Sequence, residues 1–401
     1  MDRDTPVLIA AYSGRALAAS ARRAGYAPLV ADFFGDDDTL AASRAHVRLC
    51  SGFDRGIDAD ELDAAFAKLA DGSAPAGFVC GTGFEDRAGV IARMSAHWPL
   101  IGNSPEVIER VKDPELFASL CRACRVPHPE TTRSQPDDPQ GWLVKRVGGA
   151  GGTHISLLHS TSPRLREGCE PQEPLTPPLS PQAGRGRSGC SDMDGRYFQR
   201  RVGGWPVSAL VLADGRRALV LGFSIQWTSP TPRQPYRYAG AARPAPIAPV
   251  IAEAMTEVVQ RLCAELTLVG LNSFDFLLDG AAFHLLEINP RPGATMDIFE
   301  PDEGALFGLH VAACRGTLPD QAPSYAAAKA GAILYADRTI AAVPAFDWPD
   351  WTADRPAAGS CVPAETPICT VMASASSAAA ARRRVAERSR RILADLSVAQ
   401  S

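Results

Sequence analysis

Lysine is scarce in this chain. Of 41 basic residues, only Lys68, Lys112, Lys145 and Lys329 are lysines and the rest are arginines. In that background a lysine marks a place where a compact ammonium is wanted. No apolar run is long enough to span a bilayer, and the start, MDRDTPVLIAAYSGR, does not read as a signal peptide. A cytoplasmic protein with no membrane partner is expected. The ten cysteines form no two matched pairs, which excludes a disulfide framework and suits a reducing compartment. Cys121 and Cys124 make the only CxxC, without a second ligand pair for zinc. The seven histidines are dispersed and suggest no Ser-His-Asp arrangement. A formal charge of -4 offers no basic excess for nucleic acid, so the arginines from 382 to 391 read as a solvated helix face.

What is present centres on Leu268 to Glu300. Two apolar runs, Ser273 to Leu278 and Ala282 to Ile288, flank Asp279-Gly280, the pattern of an antiparallel hairpin. Alternation puts Glu287, Asn289 and Arg291 on one face. Asp275 joins them only if the turn holds an odd number of residues, such as Gly280 to Ala282, and that turn is the expectation; a two-residue Asp-Gly turn would oppose the carboxylates. Two carboxylates and an amide on one face are hard oxygen ligands for Mg2+ beside phosphates. An edge hairpin with solvated acids is the other reading.

Toward the N-terminus, strand Val7 to Ala11, a helix to about Ala24 and strand Ala27 to Val30 ending at Asp32 open a parallel α/β layer. The first turn has one glycine where a dinucleotide fingerprint needs three, so NAD is set aside. A helix over Ala59 to Ala70 leads to strand Ala76 to Cys80, whose carboxyl end offers Gly81, Gly83 and Glu85 as substrate-site candidates. Ser104-Pro105 and Asp113-Pro114 each start a helix, with Lys112 between them. Strand Trp142 to Val147 then delivers Lys145 to Gly148-Gly149-Ala150-Gly151-Gly152-Thr153. Such a loop brings backbone N–H groups against a polyphosphate while the lysine supplies a point charge. Taken alone, a glycine-rich hairpin turn is the safer reading. Residues 160–195 are rich in proline, serine and glycine and read as a disordered insertion. Strands are expected over Val207 to Leu212 and Ala218 to Gln226, a polar loop over Arg233 to Arg243, and helices over Ile247 to Leu266 and Phe299 to Cys314. The tail holds strands Ile333 to Ala336 and Ile368 to Met372 and a helix from Ser377 to Leu396.

Lys112, Lys145, the loop from Gly148 to Thr153, the segment Tyr197 to Gly204, and Asp275 with Glu287, Asn289 and Arg291 together resemble the ordered signature of the ATP-grasp superfamily. The resemblance implies an α/β N-terminal domain (1–103), a helical linker with a small nucleotide-covering subdomain (104–196), a large subdomain with the metal site (197–316) and a small C-terminal domain (317–401), with an α+β core. It implies ATP and Mg2+, for which Mn2+ can substitute, as cofactors. Lys112 and Lys145 would contact the α- and β-phosphates, and Gly148, Gly149, Gly151, Gly152 and Thr153 would fold over the triphosphate. Gln199, Arg200 and Val202 would lie in the strand linking the subdomains, with adenine against its backbone. Asp275, Glu287 and Asn289 would hold Mg2+, and Arg291, with Lys145, would act on the transferred phosphoryl group. Many relatives carry a ribose-binding acid near the start of the linking strand, whereas Arg200 and Arg201 stand here.

The implied chemistry is ATP-dependent ligation of a small carboxylate to an amine through an acyl phosphate, in a protein that could form a homodimer. The Glu-Ile-Asn-Pro-Arg-Pro-Gly run and the Gly-Thr-Gly-Phe-Glu segment resemble predicted carboligases linked to methanofuran- and methanopterin-type one-carbon cofactors, implying an amino-acid (glutamate) ligation. A carboxylase of the purine or biotin type and a non-catalytic ATP-binding regulator are the alternatives.

Overall fold

A computed structural model describes residues 4–51, 56–158 and 195–399. The insertion expected over 160–195 falls outside them except for Gly195. The N-terminal layer runs β1 (Thr5–Ala10), α1 (Arg15–Arg23), β2 (Tyr26–Asp32), α2 (Asp37–Ala42), β3 (Ala45–Arg48), α3 (Ala59–Ala70), β4 (Phe78–Cys80) and α4 (Ala88–Ser95). Its four strands are parallel in the order β3-β2-β1-β4. Helices cover both faces, so β2 is buried along its whole length and reads as a continuous apolar run.

Helices α5 (Pro105–Lys112) and α6 (Pro114–Ala123) follow. The Ser104 hydroxyl accepts the Val107 N–H, and the Asp113 carboxylate accepts those of Glu115 and Leu116, with a proline at each first helical position. A small sheet then forms from β5 (Thr131–Thr132), β6 (Trp142–Arg146), β7 (Ser156–Leu157) and β8 (Arg196–Arg200), in the order β5-β8-β6-β7.

The chain next crosses into an eight-stranded sheet. It comprises β9 (Trp205–Asp214), β10 (Ala218–Thr228), β11 (Tyr238–Arg243), β12 (Val269–Asp279), β13 (Ala282–Asn289), β14 (Ala328–Tyr335), β15 (Thr352–Ala353) and β16 (Pro367–Ala375), ordered β13-β12-β9-β10-β11-β14-β16-β15. Helix α7 (Pro249–Leu266) packs on one face, and α8 (Met296–Phe299) and α9 (Leu306–Cys314) lie on the other. On β9, Val207, Ala209, Val211 and Ala213 point to the α7 core, while Leu210 and Leu212 point to the core shared with the N-terminal layer. Tail strands β14 to β16 extend this same sheet, and α10 (Ala378–Ala399) closes a further core beside them.

Three expectations change. Residues 238–243 are strand β11 rather than loop, because they pair with both β10 and β14. The single helix expected over Phe299 to Cys314 is two: Pro301 pushes Glu300 to ψ 119, and helix resumes only at Leu306. The linking strand ends at Arg200, so Val202 lies in an irregular connector to β9.

Helix α9 is apolar on most sides because it is sandwiched between α1 and the large sheet. Its buried His310 accepts the Leu271 N–H at Nδ1 (2.9 Å) and donates from Nε2 to the Ile101 carbonyl (3.0 Å). Burial pushes its pKa from 6.5 down to about 4. Between those values the unfolded chain binds a proton that the folded chain refuses, so stability falls as pH drops through this window. The expected loss is up to about 3 kcal/mol. Urea unfolding of wild type and His310→Gln across pH 7 to 4.5 checks this: the variant should show the shallower slope, and equal slopes would remove His310 as the cause.

Candidate active site

The metal-type residues come together, but not by the expected turn. The hairpin turn has two residues, Gly280 and Ala281, with Asp279 opposite Ala282. A β-bulge at Leu286 supplies the odd residue: Phe276 pairs with Leu285, yet Asp275 pairs with Glu287 and Ser273 with Asn289. Leu285 and Ile288 explain the bulge. Three residues apart, they would face opposite sides of a regular strand, and the extra residue lets both enter the core under α7.

The Asn289 amide donates to Asp275 Oδ2 (3.0 Å), and Gln226 donates to Asp275 Oδ1 (3.3 Å). From the end of α5, Lys112 Nζ donates to Asn289 Oδ1 (2.8 Å) and lies 3.7 Å from Glu287. Lys145 on β6 is buried and donates to Gln199 Oε1 (2.6 Å), so the Gln199 side chain is turned onto that lysine. Burial, then the charge of Glu287, raises the Asp275 pKa, whereas for Glu287 the desolvation penalty is outweighed by Lys112 and Lys145, which hold it low. Burial also lowers the pKa of Lys145. Two crowded carboxylates, one of them costly to ionise, make a site with an electrostatic demand for a cation.

Beside them opens a narrow cleft lined by Lys112, Arg146, Gly148, Gly149, Tyr197 and Glu287 among others. Its lining also includes His128, Thr131 and His154, which carry no motif in the sequence. His154 had a signal, standing one residue beyond the glycine run. Arg200 does not enter the cleft: it is exposed, lies over the Trp142 ring at 5.5 Å and donates to the Gln140 carbonyl.

The glycine loop spans the cleft. The Gly151 carbonyl accepts the Tyr238 N–H (2.9 Å). A Cβ at Gly148 would fall 2.4 Å from Asp86, and one at Gly152, where φ is +72°, would fall 2.0 Å from the Tyr236 carbonyl. Only glycine permits this closed position. If the loop folds over ATP, as the resemblance implies, Gly152→Ala weakens ATP binding about tenfold, roughly 1.4 kcal/mol, by straining the loop. Titration calorimetry with ATP measures this, and unaltered affinity would show that closure does not bear on the nucleotide.

Arg291 follows the hairpin. Its Nε donates to buried Glu85 Oε1 (2.7 Å), Nη2 contacts the same oxygen, and Gly83 N–H donates to Oε2 (2.8 Å). Burial alone would raise the Glu85 pKa, but Arg291 and Lys112 bring it below the usual value. Of the strand-end candidates, Glu85 pairs with Arg291 and Gly83 binds Glu85, whereas Gly81 packs against Ala11 and Leu17. Asn103 holds this junction: its amide donates to the Asn272 side chain and the Pro290 carbonyl (both 2.9 Å) and its oxygen accepts the Val269 N–H (2.8 Å).

Residues 182–295 match the model of an ATP-grasp domain. The carbamoyl phosphate synthase large chain of Myxococcus xanthus (strain DK1622) is 22% identical over 230 residues, which span 54% of this chain but only 19% of that enzyme. The biotin carboxylase domain dimer of the Hydrogenobacter thermophilus 2-oxoglutarate carboxylase, solved with MgADP, ADP and bicarbonate, superposes with a TM-score of 0.67 at 11% identity, covering 94% of this chain and 87% of that one. The N5-carboxyaminoimidazole ribonucleotide synthetase of Thermotoga maritima gives 0.63 at 11% identity over 96% and 98%. At these identities the structural likeness is one of fold.

Proposed function

We propose, from the match of residues 182–295 to an ATP-grasp domain and from the shared fold, that the chain is an ATP-dependent ligase that joins a carboxylate to an amine. The γ-phosphoryl group of ATP passes to a carboxylate oxygen, leaving ADP. The amine nitrogen then attacks the acyl carbon, the carbon–oxygen bond to phosphate breaks, and inorganic phosphate and a proton are released. The observation that carries this reading is the direct cross-strand pairing of Asp275 with Glu287 beside Lys112, next to a cleft spanned by the glycine loop.

In this reading Lys112 and Lys145 neutralise phosphate charge and the loop from Gly148 to Thr153 excludes water from the acyl phosphate. Gln199 steers the Lys145 ammonium, and the backbone from Gln199 through Arg200 to Val202 borders the adenine. Asp275, Glu287 and Asn289 fit a hard divalent cation. No group of three or more His, Cys, Asp or Glu residues suited to a metal occurs among the described residues, so two carboxylates and an amide would share the ion with phosphate oxygens. Mg2+, or Mn2+ in its place, would supply charge stabilisation for phosphoryl transfer. Arg291 would face the transferred group with the edge of its guanidinium that Glu85 leaves uncovered.

The finer reading is glutamate ligation in one-carbon cofactor synthesis, by a cytoplasmic homodimer. No described helix is long and apolar enough to cross a membrane. The bicarbonate bound by the Hydrogenobacter protein supports carboxylation as a second reading. The test is release of ADP and phosphate from MgATP with pooled amino acids, amines and bicarbonate, followed by mass spectrometry. A new amide mass would establish ligation, stimulation by bicarbonate alone would replace it with carboxylation, and tight ATP binding without turnover in every pool would favour a regulator.

A further inference from the structure

Strand β11 runs from Tyr238, whose N–H holds the Gly151 carbonyl, to Arg243, six residues that span about 17 Å of extended chain. At the Arg243 end a cavity of about 920 Å3 opens between β10, residues 323–328 and the first turn of α10. Pockets of this size hold a whole small organic molecule. The walls are largely apolar, from Leu221, Phe223, Ile225 and Phe299, and among the described residues that line it Arg243 is the only charged one.

The charge of Arg243 is uncompensated. The residue is 5% exposed. Its Nε donates to the Ile298 carbonyl and its Nη1 to the Ala327 carbonyl (2.8 Å), and its guanidinium lies 3.8 Å from the centre of the Tyr325 ring. All these partners are neutral. Among the described residues Nη2 has no hydrogen-bond partner and no carboxylate forms an ion pair with the guanidinium. The residue opposite Arg243 across the ladder to β14 is Lys329, which likewise has no ion pair with a described residue. Like charges directly opposite one another destabilise a sheet, and a buried charge without a counter-charge is costly. Burial lowers the pKa of Arg243 against the opposing pulls of Tyr325 and Asp302. It also lowers that of Lys329, which Asp297 opposes and Arg243 reinforces.

Two further donors stand at the same cavity. The Tyr325 hydroxyl is buried and has no hydrogen-bond partner among the described residues. Helix α10 starts here, with Ser376, Ser377, Ala378 and Ala379 in the wall. The Ser377 hydroxyl and carbonyl take the N–H groups of Ala380 and Ala381, which leaves the start of the helix its two foremost N–H groups. No acid occupies the first turn, where a negative charge is favoured. A role for Arg243 as a brace between Ile298 and Ala327 uses only Nε and Nη1. It explains neither the free Nη2 nor the unpaired phenol.

We propose that this cavity is a binding site for a monocarboxylate on an apolar body, separate from the nucleotide cleft. The carboxylate meets the free edge of the Arg243 guanidinium, and the body lies along Leu221, Phe223 and Phe299. One guanidinium with neutral donors around it matches a single negative charge. The site stands independently of the ligase reading.

The test uses the whole chain, with MgADP present to occupy the nucleotide cleft, and two matched probes, 4-phenylbutanoate and 3-phenylpropylamine. Each is titrated by calorimetry up to about 10 mM, which detects millimolar affinities. The carboxylate should bind and the amine should not. Ala379 is exposed in the first turn of α10, so Ala379→Glu suits the helix start and keeps the fold while placing a negative charge at the cavity. It should weaken 4-phenylbutanoate at least about tenfold, whereas Ala379→Gln, of the same size, should stay within about threefold of wild type. Thermal unfolding of both variants verifies that the fold is retained. No binding of the carboxylate, amine binding as tight or tighter, or affinity unchanged by Ala379→Glu overturns the inference. Equal weakening by Ala379→Gln would make the effect one of bulk and overturn the anion assignment.

Discussion

Glu287→Gln should lower ATP turnover by at least about a hundredfold, the scale of losing one preorganised charge at a phosphoryl-transfer centre. The substitution keeps the shape of the side chain and its contact with Lys112, but removes the charge opposite Asp275. Nucleotide affinity measured without divalent metal should change little, because Lys112, Lys145 and the glycine loop are untouched. The Asp275 pKa should fall, since the charge of Glu287 is the second cause of its rise after burial. Turnover by coupled ADP release and affinity by calorimetry, on the same preparation, separate the effects. An unchanged rate would remove Glu287 from the metal site.

Arg291→Ala should destabilise the fold by about 3–5 kcal/mol, the cost of leaving one member of a buried ion pair alone. Glu85 is almost wholly buried, and Arg291 is the larger of the two charges, with Lys112, that keep it ionised there. Loss of activity in this variant would therefore be ambiguous. The double variant Glu85→Gln with Arg291→Met removes both charges and should recover most of the stability, because an apolar replacement of a buried pair is often near neutral. If Arg291 acts on the phosphoryl group, that refolded protein stays inactive. Normal turnover in the double variant would make the pair a purely structural brace.

Much of the site could be read along the chain because its signals are local. Ser104-Pro105 and Asp113-Pro114 start α5 and α6 through contacts within three residues, which is why Lys112 could be placed at a helix end. Strand β6 and the glycines after it carried Lys145 to its loop for the same reason. The turn has two residues, not three, because a bulge rather than the turn sets the register. Its trace in the sequence was faint: two apolar residues, Leu285 and Ile288, at an odd spacing within an otherwise alternating strand. Gln226, Glu85 and Asn103 reach the site from 49, 206 and 169 residues away from their partners. No periodicity records such pairings.

The sequence by itself determined most of the element types, the starts of α5 and α6, the lysines chosen from an arginine background and the hard-oxygen character of the hairpin. These follow from side-chain chemistry and backbone preference over a few residues. Only the tertiary structure decided that Asp275 faces Glu287, since both faces of β12 are buried and core packing, not the turn, sets the register. It also decided that Arg291 is braced by Glu85 and that Arg15 is surrounded by carboxylates from three distant segments. Burial makes such charges expensive to leave unpaired, so packing selects their partners after the local elements have formed.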